Sequence, residues 1–162
     1  AAQSANIIAT RTFSKAYGLA ALRVGWLIAP ERFIPGLNLL RGVGNINAIA
    51  QAAAVAALHD QSFLRDAIVR TAEGREALAS ALARLGLTFI PGLGNFLLTR
   101  LPDGRLDAFL DFVMREEGIW LRPVGEPGFS GWSRIGIGTP DEMRRLITLL
   151  ERFLLTGRGA LK

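Results

Sequence analysis

Three features of the chain predict an α/β fold. Two short apolar runs with strand character lie near its start, on either side of a polar, glycine-bearing stretch. Two long apolar stretches of helical character follow. Beyond Gly86 the pattern switches to strand-like runs alternating with two amphipathic helices, which reads as a smaller α+β unit. The chain has 162 residues, half of them hydrophobic, enough apolar mass for a packed core and too much for general disorder.

Asn6 to Thr12 (NIIATRT) reads as a short buried strand and Val24 to Ala29 (VGWLIA) as another, closed by Pro30. Glu31 to Leu40 suits a short helix with Pro35 near its first turn. Gly42, Gly44, Asn45 and Asn47 then form a loop. Ala48 to Leu58 is alanine-rich and apolar on every side, which predicts a buried helix ending near His59 and Asp60. A second long helix is expected from about Ser62 to Leu85, with Gly86 placed to end it. Leu87 to Ile90 and Asn95 to Leu101 read as strands around a Pro91-Gly92 turn. Leu106, Phe109, Leu110 and Val113 mark a helix ending at Gly118. Ile119 to Arg122 and Arg134 to Gly138 are two further strands. Thr139-Pro140-Asp141-Glu142 has the form of a capping box with proline at the first helical position, and Met143, Leu146, Ile147, Leu150 and Phe153 share one face of the closing helix. Residues 1–61 and 62–162 are expected to be separate parts. Two strands with no sheet before them would leave edges and faces bare, so the first part reads as the end of something larger.

Composition excludes several functions. Cysteine is absent, which rules out disulfides and thiolate metal sites, and the single histidine, His59, rules out a His-rich metal centre. No run approaches the roughly 18 apolar residues of a membrane span, and the first residues lack the basic and apolar blocks of a signal peptide. The formal charge is +5, but the arginines are scattered among carboxylates without an aromatic platform, which argues against nucleic acid.

Of 19 cations, 17 are arginine; only Lys15 and Lys162 are lysine. A chain that uses arginine almost wherever a cation will do has kept one internal lysine. A guanidinium stays protonated, whereas a lysine amine can be tuned to act as a nucleophile. Lys15 lies in Thr12-Phe13-Ser14-Lys15-Ala16-Tyr17-Gly18-Leu19-Ala20-Ala21-Leu22-Arg23-Val24-Gly25-Trp26. At the end of a buried strand such an amine would be desolvated and able to form an imine with an aldehyde. Thr12 and Ser14 supply hydroxyls and Arg23 a forked cation, a donor set suited to a phosphate tethered to that aldehyde. Glycines 18 and 25 allow close backbone approach, and Tyr17 reads as packing. In SRIGIGT, period two puts Arg134, Gly136 and Gly138 on one face, so the guanidinium is flanked by residues without side chains.

The lysine run resembles the signature of class II aminotransferases, the fold-type I enzymes that use pyridoxal phosphate. It is similar to T-F-S-K-x-x-G-L-A-G-L-R-x-G-Y of the histidinol-phosphate aminotransferases, with Ala21 and Trp26 in place of Gly and Tyr. The resemblance continues through RGVGNINAIAQAAAVAALHD, GNFLLTRLP, GIWLRPV and SRIGIGT. It implies that residues 1–61 are the incomplete end of a large cofactor-binding domain and residues 62–162 the small C-terminal domain. It implies that Lys15 holds pyridoxal 5'-phosphate through its amine and later moves a proton, while Ser14, Arg23 and Thr12 bind the cofactor phosphate. Arg134 matches an arginine that grips the substrate carboxylate or phosphate, and Arg122 a second anion-binding arginine. Arg41 and Asn45 lie where the family has R-x-P-F/Y-N, but Gly42-Val43-Gly44 replaces the proline–aromatic segment.

The expected function is transfer of an amino group between an amino acid, with a histidinol-phosphate-like donor, and a 2-oxo acid, by a cytoplasmic homodimer with no metal. One alternative is a decarboxylase of the threonine-phosphate type, which shares the lysine signature. Another is a non-catalytic dimerisation or interaction module. The family's ring-binding Asp and Tyr come before the lysine; the 14 residues before Lys15 contain no Asp, Glu or Tyr, so the chain alone is expected to be incompetent.

Overall fold

The computed structural model describes residues 5–102 and 104–157. The chain divides into two compact units, residues 1–68 and 69–162. The division falls within a helix, seven residues beyond the join expected from the sequence.

In the first unit, β1 (Ala9–Thr12) pairs antiparallel with β2 (Gly25–Ile28), with Thr12 opposite Gly25 and Ala9 opposite Ile28. A 3-10 turn leads into α1 (Ile34–Leu40), whose first turn holds Pro35. After a loop comes α2 (Ala48–His59), capped by Asn47, whose side chain accepts from the Ala50 amide at 2.8 Å. The next helix, α3 (Gln61–Arg84), begins with Asp60 accepting from the Phe63 amide at 3.0 Å.

Two burial expectations are corrected here. The strands are not buried: β2 is exposed along its length, as are Ile7 and Ile8 before β1. Nor is α2 a buried helix, since only Ala50 and Ala54 are enclosed while Ile49, Val55 and Leu58 are exposed. The reason is geometric. A two-stranded ribbon has no neighbouring sheet, and within this unit only Phe13, Val24, Ala50 and Ala54 form a buried cluster.

In the second unit, α3 ends in a Schellman motif: Gly86 takes φ +71°, Leu87 N–H donates to Leu82 C=O, and Gly86 N–H to Ala83 C=O. β3 (Thr88–Ile90), β4 (Phe96–Arg100), β5 (Arg122–Pro123) and β6 (Trp132–Gly136) form an antiparallel sheet in the order β3-β4-β6-β5. The expected strand at 119–122 thus shifts. Trp120 is exposed, and pairing begins only at Arg122. α4 (Leu106–Glu117) ends at Gly118 with φ +64°, and α5 (Pro140–Gly157) closes the unit.

One face of this sheet is buried. Leu97 and Thr99 of β4 and Ser133 and Ile135 of β6 point into a core with Leu78 and Leu82 of α3, Phe109 and Val113 of α4, and Leu149 and Leu150 of α5. The two buried hydroxyls do not go unpaired: Thr99 donates to Thr88 C=O and Ser133 to Arg122 C=O, each at 3.2 Å. Gly74 is a close-approach site missed in the sequence, for a Cβ there would lie 2.7 Å from Ile137 Cγ2. Period two puts Phe96, Leu98 and Arg134 on the opposite face of the sheet.

Candidate functional site

In the first unit the lysine sits in the turn that leaves β1. Gly18 N–H donates to Lys15 C=O at 2.8 Å with Gly18 at φ +71°, and Leu19 N–H returns to Phe13 C=O at 2.9 Å. Phe13 is the anchor, buried and packed against Tyr17 with the rings tilted and their centroids 4.8 Å apart. Gly25 is required by β1, because a Cβ there would lie 2.5 Å from Arg11 O.

This path gathers the three expected phosphate donors. Ser14 N–H donates to Thr12 Oγ1 at 3.0 Å, and the Thr12 hydroxyl donates to Ser14 Oγ at 2.9 Å. Arg23 Nη1 donates to Ser14 Oγ at 3.3 Å and to Ala20 C=O at 2.8 Å. Arg23 achieves this from a left-handed backbone (φ 53°, ψ 47°), the one positive φ outside glycine among the described residues. Such a conformation costs a residue with a Cβ about 1 kcal/mol or more, and strain of this kind collects at functional sites. Thr12, Ser14 and Arg23, with Thr10, Arg11, Val24 and Gly25, line a cavity of about 460 Å³.

Lys15 itself departs from expectation. It is exposed, and its side-chain amine forms no hydrogen bond or ion pair among the described residues. β1 is a surface strand here, so the desolvation inferred from a buried strand does not arise within this unit. Lys15 directly follows Ser14 in the chain. Arg41 and Asn45 line a separate cavity of about 720 Å³ with Gly42, Val43 and Gly44. His59 ends α2, as expected.

The second unit holds the other two candidates together. Arg122 and Arg134 are directly opposed across β5 and β6. Like charges facing each other in a ladder repel unless an anion lies between them. Arg134 is steadied by a contact absent from the sequence reading: its guanidinium carbon stands 4.1 Å from the centroid of the Phe96 ring. Both arginines line a cavity of about 330 Å³ with Phe96, Leu98, Val124, Glu126 and Phe129. The two glycines of SRIGIGT prove to have different causes. A Cβ at Gly136 would meet nothing within 4 Å, so space is open there, whereas one at Gly138 would lie 2.5 Å from Glu142 Oε2. Gly138 therefore accommodates the cap of α5. Phe96, Glu126 and Phe129 went unread because only the β4–β6 register and the loop geometry bring them to Arg134. Among the described residues no group of acids and histidines could hold a metal ion.

The chain is similar to known proteins. The family described as aminotransferase class I and II matches residues 1–150. A histidinol-phosphate aminotransferase of Ralstonia nicotianae is 45% identical over 156 residues, 96% of this chain and 42% of that protein. The crystal structure of histidinol-phosphate aminotransferase from Sinorhizobium meliloti, in complex with pyridoxal-5'-phosphate, superposes at a TM-score of 0.84 with 29% identity, over 95% of this chain and 42% of that one. The L-threonine-O-3-phosphate decarboxylase of Porphyromonas gingivalis superposes at 0.75 with 26% identity, over 94% of this chain and 48% of that one. The chain thus spans less than half the length of these relatives. Its fold is the corresponding part of a fold-type I aminotransferase, and by its sequence over residues 1–150 the chain belongs to the class I and II aminotransferase family.

Proposed function

We propose that the protein containing this chain is a pyridoxal-phosphate-dependent aminotransferase, moving an amino group between a histidinol-phosphate-like donor and a 2-oxo acid. The observation that carries this reading is the hydrogen-bonded cluster of Thr12, Ser14 and Arg23, with Lys15 the next residue in the chain after Ser14. Two hydroxyls and a guanidinium at the edge of one cavity fit a phosphate monoester, which takes several donors and at least one cation. Pyridoxal 5'-phosphate, when bound, supplies an aldehyde open to an amine and a ring that accepts electrons.

The chain's own groups then divide the work. Thr12, Ser14 and Arg23 hold the phosphate and so fix the register of whatever is attached to it. Lys15 would hold the cofactor aldehyde through Nζ, and the same amine would move a proton from and to the substrate α-carbon. Arg134, with Arg122, holds the substrate's carboxylate or phosphate, and the Phe96 ring keeps the Arg134 guanidinium oriented for a two-pronged contact. Residues 1–61 would be the end of the cofactor-binding domain and 62–162 the small domain of a cytoplasmic homodimer. Among the described residues no helix is long and apolar enough to cross a membrane.

Borohydride reduction of the protein incubated with pyridoxal 5'-phosphate, followed by peptide mass spectrometry, tests this reading. The expected adduct is on Lys15 and is missing from Lys15→Arg. Labelling elsewhere, or none, removes Lys15 from the role and favours a non-catalytic module. Turnover of histidinol phosphate with 2-oxoglutarate, set against carbon dioxide release from threonine phosphate, separates the aminotransferase from the decarboxylase that shares this fold.

A further inference from the structure

The turn that carries Lys15 is held at its far end by a side chain the proposed chemistry does not use. Gly18 closes that turn at φ +71°, its N–H donating to Lys15 C=O at 2.8 Å. A Cβ at Gly18 would lie 3.6 Å from Cζ and 3.8 Å from Cε1 of Phe63, so the tip of that ring stands over the bare side of the glycine. Phe63 belongs to the first turn of α3 and shares the first unit with the lysine. It is 51% exposed and lies outside the buried cluster of Phe13, Val24, Ala50 and Ala54.

The ring is placed by the corner between α2 and α3. Asp60 N–H donates to Ala56 C=O at 3.2 Å, which ends α2. The Asp60 carboxylate accepts from Phe63 N–H at 3.0 Å and from the Ser62 hydroxyl at 2.8 Å, which starts α3. The Gln61 side-chain amide reaches back to Leu58 C=O at 2.8 Å. Four hydrogen bonds thus fix the direction in which α3 leaves the corner, and with it the place of Phe63. α2 meets the lysine segment from its other end, since Ala50 and Ala54 pack with Phe13, two residues before Lys15. One helix corner therefore grips Phe13 to Gly18 at both ends. A half-exposed ring adds little to the core. Glycine has the widest choice of backbone conformation, so a turn closed by Gly18 needs an outside contact to keep it in one, and Phe63 supplies it.

We propose that Phe63 is a positioning residue for Lys15: its ring, resting on Gly18, holds the Lys15–Gly18 turn so that the amine meets an aldehyde whose phosphate sits among Thr12, Ser14 and Arg23. The proposal rests on the reading of those three residues as a phosphate cradle and of Lys15 as the reacting amine. The cradle is set by its own hydrogen bonds, none of which involves Phe63. Loss of the ring therefore changes the placement of the amine and leaves the cradle in place. With the phosphate fixed on one side and the amine on the other, their meeting is effectively intramolecular, and a displacement of about 1 Å costs such a reaction up to about 100-fold. An aldehyde without a phosphate arrives from solution and gains nothing from that alignment.

The test compares two aldehydes on the whole protein that contains this chain, freed of cofactor. Pyridoxal 5'-phosphate or pyridoxal is added, the reaction is stopped with borohydride at timed intervals, and the Lys15 peptide is quantified by mass spectrometry. In the native protein Lys15 is expected to label at least about 100-fold faster with the phosphorylated aldehyde. Phe63→Ala is expected to slow that labelling about 10-fold and to leave labelling by pyridoxal within about 2-fold. Phe63→Met restores apolar reach with an unbranched side chain and is expected to bring the rate back to within about 3-fold. Hydrogen exchange at the Gly18 amide should quicken in cofactor-free Phe63→Ala while its urea midpoint stays close to native. If Phe63→Ala leaves both aldehydes unchanged, or slows both equally, the positioning proposal is overturned. Arg23→Gln separates that result from a failure of the underlying reading, for it is expected to remove most of the phosphate advantage. Where it does so, the cradle stands whatever Phe63→Ala shows. If the advantage is absent from the native protein or survives Arg23→Gln, the cradle and the proposal both fall.

Discussion

The two units solve the problem of stability differently. Residues 69–157 cover one face of a four-stranded sheet with helices and enclose Phe109, Leu78, Leu82 and Leu150 completely. Residues 5–68 enclose one aromatic, one valine and two alanines, and expose Trp26, Leu27, Ile28, Leu39 and Leu40. Yet it is this sparsely packed unit that carries the lysine and the left-handed arginine. The lysine loop is set by the buried Phe13 anchor and by hydrogen bonds: Leu19 N–H to Phe13 C=O, Phe13 N–H to Val24 C=O, the Thr12–Ser14 turn and the Arg23 guanidinium contacts. Chemistry-bearing residues are commonly placed on segments that contribute little to the core.

The largest expected effect breaks the chemistry and leaves the structure intact. Lys15→Arg retains the positive charge at an exposed, unpaired position, so unfolding by urea should be unchanged within about 0.5 kcal/mol. Turnover should fall at least about a thousandfold, because a guanidinium cannot serve as the nucleophile. Retention of a tenth of the native rate would end the assignment. The next effect is the reverse. Phe109→Ala empties a completely buried site whose ring lies tilted against Phe153, centroids 5.2 Å apart, and should cost about 3–5 kcal/mol. Ile49→Ala, on the exposed side of α2, should cost under about 0.5 kcal/mol. Similar losses from the two would show that the first unit is better packed than described. Third, Arg134→Lys keeps a charge but loses the planar fork and the Phe96 contact, so carboxylate binding should weaken by about 10- to 100-fold with no loss of cofactor. Equal loss of both would move Arg134 out of the substrate pocket.

The contrast also marks how far the residues themselves could be read. α4, α5, the Gly86 and Gly118 stops and the outward face of Arg134 follow from local spacing, and the structure bears them out because the second unit supplies its own core. The clustering of Thr12, Ser14 and Arg23 was legible from donor types at short separation. The burial of β1, β2 and α2 was misjudged for one reason: an apolar run states a preference for cover without stating whether cover is present. Phe96 beneath Arg134 and Glu126 in the same cavity depend on strand register and on two glycine turns. The first is a long-range pairing and the second a conformation that period counting does not see. Gly74 and Gly138 likewise are explained by atoms far from them or four residues on, Ile137 and Glu142.

The smallest effect compares the helix caps of the two units. At the start of α5, Thr139 N–H donates to Glu142 Oε2 at 2.7 Å, the Thr139 hydroxyl donates to the same oxygen at 2.9 Å, and Glu142 N–H returns to Thr139 Oγ1 at 3.3 Å. The Thr139 amide first, and its hydroxyl second, hold the Glu142 carboxyl below its ordinary range. At the start of α3, the Phe63 amide and then the Ser62 hydroxyl do the same for Asp60. A carboxyl with a folded pKa below its unfolded one stabilises fully above the unfolded value, and that contribution is lost as pH falls through the folded one. Both caps should therefore weaken from about pH 4.5 downward, and neither should respond between pH 6 and 8. Thr139→Ala should cost about 1 kcal/mol at pH 7. Urea unfolding of Glu142→Gln should show a difference from native that is full at pH 6 and shrinks toward pH 3. The difference must shrink because protonation removes from the native protein the same charge that the substitution removes. A difference that stays constant with pH would mean that Glu142 acts through packing alone. In the first unit, Asp60→Asn should instead speed amide exchange at Phe63 with little change in urea midpoint, because α3 begins where few apolar side chains are enclosed.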